Sequence, residues 1–103
     1  MQIQSNTIQK LKTFEHILQN GYQSIFIDNV LNKLVSIEKD KSIKELKEVN
    51  ERIKQFEINY GISSGEFYEN FYSGHTGDSA DEIEWISFID MRSAIQKRIN
   101  ILK

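Results

Sequence analysis

The chain contains neither cysteine nor proline. Without cysteine there are no disulfides, no thiolate zinc ligands and no thiol nucleophile. Without proline no segment is barred from helix by a missing amide or a ring clash. Glycine is scarce, at 5 of 103 residues, and four of the five fall at natural boundaries between helical patterns. No apolar run approaches the ~20 residues that span a bilayer. The opening "MQIQSNTIQK" has no apolar core flanked by positive charge. A cytoplasmic protein of one domain is expected, with no membrane association.

One further absence is local. Between Lys54 and Arg92 there is no lysine or arginine, while Glu57, Glu66, Glu69, Asp78, Asp81, Glu82, Glu84 and Asp90 all lie there. The net charge is only −2, so this asymmetry says more than the total. A phosphate backbone is repelled by such a segment and a basic protein surface is attracted to it. No helix-turn-helix signal and no basic stripe are present elsewhere, so direct nucleic-acid binding is not expected.

What is there reads as helix. "TIQKLKTFEHILQN" places Ile8, Leu11, Phe14 or Glu15, and Leu18 at helical spacing, and Ser5, Asn6 and Thr7 offer N-caps. This predicts a helix over 7–19, stopped at Asn20-Gly21. Next, Ile27, Val30, Leu31, Leu34, Val35 and Ile37 form an apolar stripe. Leu46, Val49, Ile53, Phe56 and Tyr60 follow in steps of three and four, the a/d seam of a helix that packs on another. The polar "EKDKS" separates the two stripes. Ser42 and Glu45 match a capping box, so a new helix could start there. With no glycine or proline to force a break, one helix over 26–59 is favoured. At ~50 Å long, it implies an elongated molecule with a partner along the seam, and hence a homodimer.

Gly61 ends that helix, Ser63 and Glu66 form a second capping box, and a short helix is predicted over 64–72. Gly74 stops it. Gly74 and Gly77 let the chain reverse, and Asp78 or Ser79 caps a last helix over 79–102. Its apolar face includes Trp85, Ile86, Phe88, Ile89, Ile95 and Ile99, and Lys97, Arg98 and Lys103 complement its dipole. The expected fold is all-α: helix, long helix, short helix, long helix, with the outer two packing back along the central one.

The stretch "FYSGHTGDSADEIEW", from Phe71 to Trp85, invites three chemical readings. For metal, His75, Asp78, Asp81, Glu82 and Glu84 are candidate ligands. An EF-hand needs oxygens at alternating loop positions, and here the carboxylates begin at the loop's end and run into a helix. Capping and first-turn acids account for them. For catalysis, the carboxylates would need pKa values driven apart, and His75 has no nucleophile with an orienting partner. Gly74 and Gly77 give a G-x-x-G spacing but lack the lysine of a phosphate loop. For protein binding, Phe67, Tyr68, Phe71, Tyr72, Trp85 and Phe88 exceed what so small a core can bury. If Phe67, Phe71, Ile86 and Ile89 pack inside, Tyr68 and Tyr72 are left half exposed and rimmed by acids, as aromatic anchors of an interface are.

The segment "QFEINYGISSGEFYENFYSGHTGDSADEIEWISFIDM" resembles a family of small bacterial and archaeal proteins with the pattern FE-x-x-YG-(M/I)-SS-x-x-FY-x-x-F-x-x-G-x-x-GD-x-x-D-x-x-EW. The matched positions include Tyr60, Gly61, Ser63, Ser64, Phe67, Tyr68, Phe71, Gly74, Gly77, Asp78, Asp81, Glu84, Trp85 and Met91. The similarity extends upstream to Gly21. Gly65 departs from it, where a helix former is common, and is expected to shorten or loosen the short helix. Members of the family look like the antitoxin half of two-gene toxin–antitoxin modules. The resemblance therefore implies a non-enzymatic binding protein, without cofactor, that covers a basic toxin, a ribonuclease in the leading case. Glu66, Tyr68, Glu69, Tyr72, His75, Asp81, Glu82 and Asp90 are the expected partner-binding residues. The alternatives are a structural coiled-coil homodimer through Leu46, Val49, Ile53 and Phe56, and a carboxylate metalloenzyme.

Overall fold

The computed structural model describes residues 2–75, 77 and 79–103, with side chains from Ser5 onward. It is all-α, with four helices and no strand among the described residues: α1 Gln2–Gln19, α2 Ile25–Tyr60, α3 Ser64–Tyr72 and α4 Ala80–Leu102. None of these helices is long and apolar enough to cross a membrane. Three of the four match the sequence-based bounds to within a residue. The first does not, because it begins at Gln2 instead of Thr7. Nothing between Gln2 and Asn6 breaks a helix, so Ser5, Asn6 and Thr7 are helical residues and not caps.

The chain divides into two compact units, Met1–Lys33 and Leu34–Lys103. The larger unit holds the core. Val49, Ile53 and Ile95 are buried together, with Leu46, Phe88, Ile89 and Ile99 packed against them. A second cluster joins Phe67, Trp85 and Ile86 with Phe56, Ile62, Phe71 and Ile89. The seam Leu46, Val49, Ile53 and Phe56 therefore meets α4 of its own chain. Val49 and Ile53 are buried in that contact, and Leu46 and Phe56 are half-buried. Heptad steps establish that a helix packs on something, but the apolar face of α4 lies in the same chain and takes that place.

The uncertainty at Ser42 is resolved by α4. The α2 helix runs unbroken for 36 residues. Ser42 is 1 % exposed, and its Oγ accepts a hydrogen bond from Arg98 Nε at 2.8 Å. Another guanidinium nitrogen of Arg98 pairs with Glu45 at 3.2 Å. Both residues of the apparent capping box thus face α4, three apart on one side of a continuous helix. Arg98 is thereby turned to α2, which leaves Lys103, the C-cap residue of α4, as the basic side chain nearest the end of that helix.

The short helix is held at its start by two acceptors. Ser63 Oγ accepts from the Glu66 amide at 3.1 Å, and the Glu57 carboxylate accepts from the Ser64 amide at 2.9 Å. Both amides are unsatisfied donors of a helix N-terminus. Despite Gly65, α3 has the predicted length of 9 residues. A Cβ at Gly65 would meet nothing within 4 Å. Gly65→Ala should therefore raise stability by about 0.5–1 kcal/mol through helix propensity and a less disordered unfolded chain. Urea unfolding is the check, and a lower midpoint would contradict an open helical site.

Candidate functional site

The corner that joins α2, α3 and α4 is built on Trp85. Gly61 and Gly74, at φ of 70° and 81°, take the left-handed conformation that lets the chain leave α2 and α3 abruptly. A Cβ at Gly77 would stand 3.2 Å from Glu82 Oε1, so the glycine leaves room for that carboxylate. Ser79 caps α4 with a complete capping box: its Oγ accepts from the Glu82 amide at 3.3 Å, and its own amide donates to Glu82 Oε1 at 3.2 Å. Asp78, the other expected cap, lies outside the described residues.

Trp85 is fully buried. Its ring stacks on Phe67 at 3.8 Å between centroids and on Phe56 at 5.6 Å, and Tyr60 leans on it at 5.5 Å. The indole Nε1 donates to Ser64 Oγ at 3.0 Å. One side chain thus ties together the end of α2, the first turn of α3 and the first turns of α4. The aromatics divide as anticipated. Phe67 and Ile86 are buried, Phe71 and Ile89 pack against them, and Tyr68 and Tyr72 remain exposed.

The eight residues expected to meet a partner do not form one patch. Tyr68 and Tyr72 pair on the outer side of α3, with ring centroids 4.8 Å apart. Between α3 and α4 runs a shallow groove lined by Tyr68, Glu69, Ile89, Asp90 and Arg92 among others. The Tyr72 hydroxyl is held above the ordinary tyrosine range, first by partial desolvation, then by the Asp90 carboxylate and by Tyr68. Tyr68, Glu69, Tyr72 and Asp90 are therefore neighbours.

Asp81 and Glu82 belong to the corner instead. The Tyr60 hydroxyl donates to Asp81 Oδ2 at 3.3 Å. Desolvation first and Asp81 next raise its pKa, with Glu82 adding to the effect. Glu82 is committed to the capping box. Glu66 lies in the first turn of α3, where its charge suits the helix dipole. His75 Nδ1 lies 2.9 Å from Ser73 Oγ just past the end of α3. That contact was not foreseen, because a serine and a histidine two apart in a loop carry no spacing signal. Ser73 Oγ also reaches the Asn70 carbonyl, at 3.2 Å, and the His75 amide bonds the same carbonyl at 2.8 Å. These are the local bonds that finish a helix. A nucleophilic serine needs a base oriented by a third group and donors for an oxyanion, which these bonds do not supply.

Among the described residues no group of three or more His, Asp or Glu side chains converges as metal ligands would. No buried side-chain nitrogen or oxygen among them is left without a hydrogen-bond partner. The raised tyrosines give a testable pH dependence. A group whose folded pKa lies above its unfolded value stabilises the fold below the unfolded value, near 10 for tyrosine, and loses that contribution as pH rises through the folded value. Tyrosinate absorbance should thus show Tyr60 titrating above 10 in the folded protein, and Asp81→Asn should bring it back toward 10. An unchanged titration in that variant would place the cause elsewhere.

The fold and this corner define an all-α protein with a tryptophan-locked junction and an acidic, tyrosine-bearing groove. No family model, curated protein or solved structure matches the chain.

Proposed function

We propose that this is a non-enzymatic, antitoxin-like binding protein of the cytoplasm, which covers a basic surface of a partner, in the leading case a ribonuclease toxin. The observation that carries the reading is the Tyr68–Tyr72 pair, exposed beside Glu69 and Asp90 on a segment with no lysine or arginine from Gln55 to Met91. Tyrosines bring large contact area at small entropic cost and are enriched at the energetic centres of interfaces. The carboxylates around them supply attraction at a distance and select a partner of opposite charge. The binding set is narrower than the sequence suggests. Tyr68, Glu69, Tyr72 and Asp90 act together, and Asp81 and Glu82 serve the corner. Occlusion is the mechanism: the groove covers the partner's basic surface and denies it to that partner's own anionic substrate. The antitoxin element of the proposal rests on the resemblance of Gln55–Met91 to its family.

Co-expression tests it. A gene beside this one should encode a small basic protein that arrests growth when expressed alone. Growth should return with the wild-type chain and not with a Tyr68→Ala/Tyr72→Ala/Asp90→Lys variant of equal abundance. Rescue by the variant would discard the groove. A neighbouring product that leaves growth unaffected would discard the toxin.

A further inference from the structure

The smaller unit, Met1–Lys33, has no core. Among its described residues none is buried, and only Ile17, Ser24 and Ile27 are even half-buried. Yet it is rich in large apolar side chains. Ile8, Leu11, Phe14 and Leu18 on α1 and Val30 and Leu31 on α2 are all exposed, and at the start of α2 Ile25 is 81 % and Phe26 75 % exposed. Packing of α1 beside the start of α2 leaves most of the first apolar stripe of α2 uncovered. Two helices joined at one end present two apolar stripes but enclose little, whereas four can surround a core.

We propose that the apolar face of this unit is a homodimer interface, at which α1 and the start of α2 from two copies pack as four helices around a two-fold axis. Three observations point to a second copy as the occupant. The first is area. With Ile25 set aside, because helical spacing turns it away from Val30 and Leu31, eight exposed large apolar side chains, Tyr22 included, offer on the order of 800 Å² per chain, about what each partner loses in a stable interface. The second is charge. The unit carries Lys10, Lys12 and Lys33 against Glu15 and Asp28, a mixture that neither repels its own copy nor selects a strongly charged partner. The third is pattern. Both helices carry stripes with steps of three and four, so a copy supplies the same ridges that it meets, as an isologous contact requires. This interface involves neither the seam at Leu46–Phe56 nor the α3–α4 groove, so it stands or falls independently of the proposed function.

Analytical ultracentrifugation of the full chain tests it. The wild type should sediment at twice its 12.1 kDa mass at tens of micromolar. Leu11→Glu combined with Leu31→Glu should raise the dimer dissociation constant at least ~100-fold, because carboxylates would be buried unpaired at the interface. The near-ultraviolet circular dichroism of Trp85, which lies in the larger unit, should stay as in the wild type. A wild type that is monomeric at that concentration overturns the proposal, and so does a variant that remains a dimer. Should the double variant fail to fold, cross-linking decides. The chain has no cysteine, so a single introduced cysteine can form only an intermolecular disulfide. Oxidation should cross-link Leu18→Cys or Val30→Cys far more than Lys10→Cys or Lys33→Cys. Equal cross-linking at all four positions would overturn the interface.

Discussion

Trp85→Ala should lower the free energy of unfolding by ~3–5 kcal/mol, the range for removing a fully buried large aromatic. Domains of this size are stable by only about 5–15 kcal/mol, so the loss is a large fraction of the total. The loss has identifiable parts. The indole is sandwiched between Phe67 and Phe56 and shields the end of α2 from solvent. Its Nε1–H satisfies the hydroxyl of Ser64, which is itself buried. Truncation opens a cavity at the junction of three helices and leaves that hydroxyl with one bond fewer. Phe67 stacks directly on the indole, so Phe67→Ala and Trp85→Ala should be strongly non-additive. Denaturant unfolding of the two single variants and the double variant checks both statements. A cost below about 1 kcal/mol for Trp85→Ala would mean that the corner is not built on this residue.

The second large effect is at Ile53, which is 2 % exposed at the centre of the α2–α4 contact. Ile53→Ala should cost ~2–5 kcal/mol, because helices joined by other side chains collapse only partly onto the space left behind. Leu31→Ala, about six helical turns earlier on α2, provides the contrast. Leu31 is exposed within one chain, so its truncation should leave the urea midpoint of the larger unit nearly unchanged and weaken only self-association. Equal destabilisation by the two substitutions would contradict the division into two units.

Much of the architecture was legible because its signals are local. Ser63 and Ser79 sit where a hydroxyl meets an amide three residues on, and Gly61 and Gly74 sit where backbone must turn left-handed; both are written in short windows of sequence. The burial of Phe67 and Ile86 with Tyr68 and Tyr72 left outside also followed, because helical spacing assigns each residue a face. What spacing does not encode is the neighbour on that face. The stripe at Leu46–Phe56 and the stripe at Ile27–Ile37 look alike, yet the first meets α4 and the second stays largely exposed. The partner of the buried Ser42 is Arg98, 56 residues away, so the favoured continuous helix is found, but the local pattern at Ser42 and Glu45 could not show the interhelical hydrogen bond they serve. The site was blurred for the same reason. Eight acids and aromatics shared one uncharged-by-lysine stretch, but Asp81 and Glu82 were needed by Tyr60 and Ser79, and only Tyr68, Glu69, Tyr72 and Asp90 came together.

That the α3–α4 groove is a binding face is the central claim, and calorimetric titration with the proposed basic partner, sought among the products of neighbouring genes, tests it most directly. Tyr68→Ala combined with Tyr72→Ala should weaken binding ~100-fold, the scale of losing two aromatic anchors. The melting temperature should stay nearly unchanged, since both rings lie outside the core. Asp90→Lys should weaken binding further at low salt than at high salt, as expected of a charge that steers association. Affinity that survives the double tyrosine substitution at wild-type strength, with the fold intact, would contradict the claim.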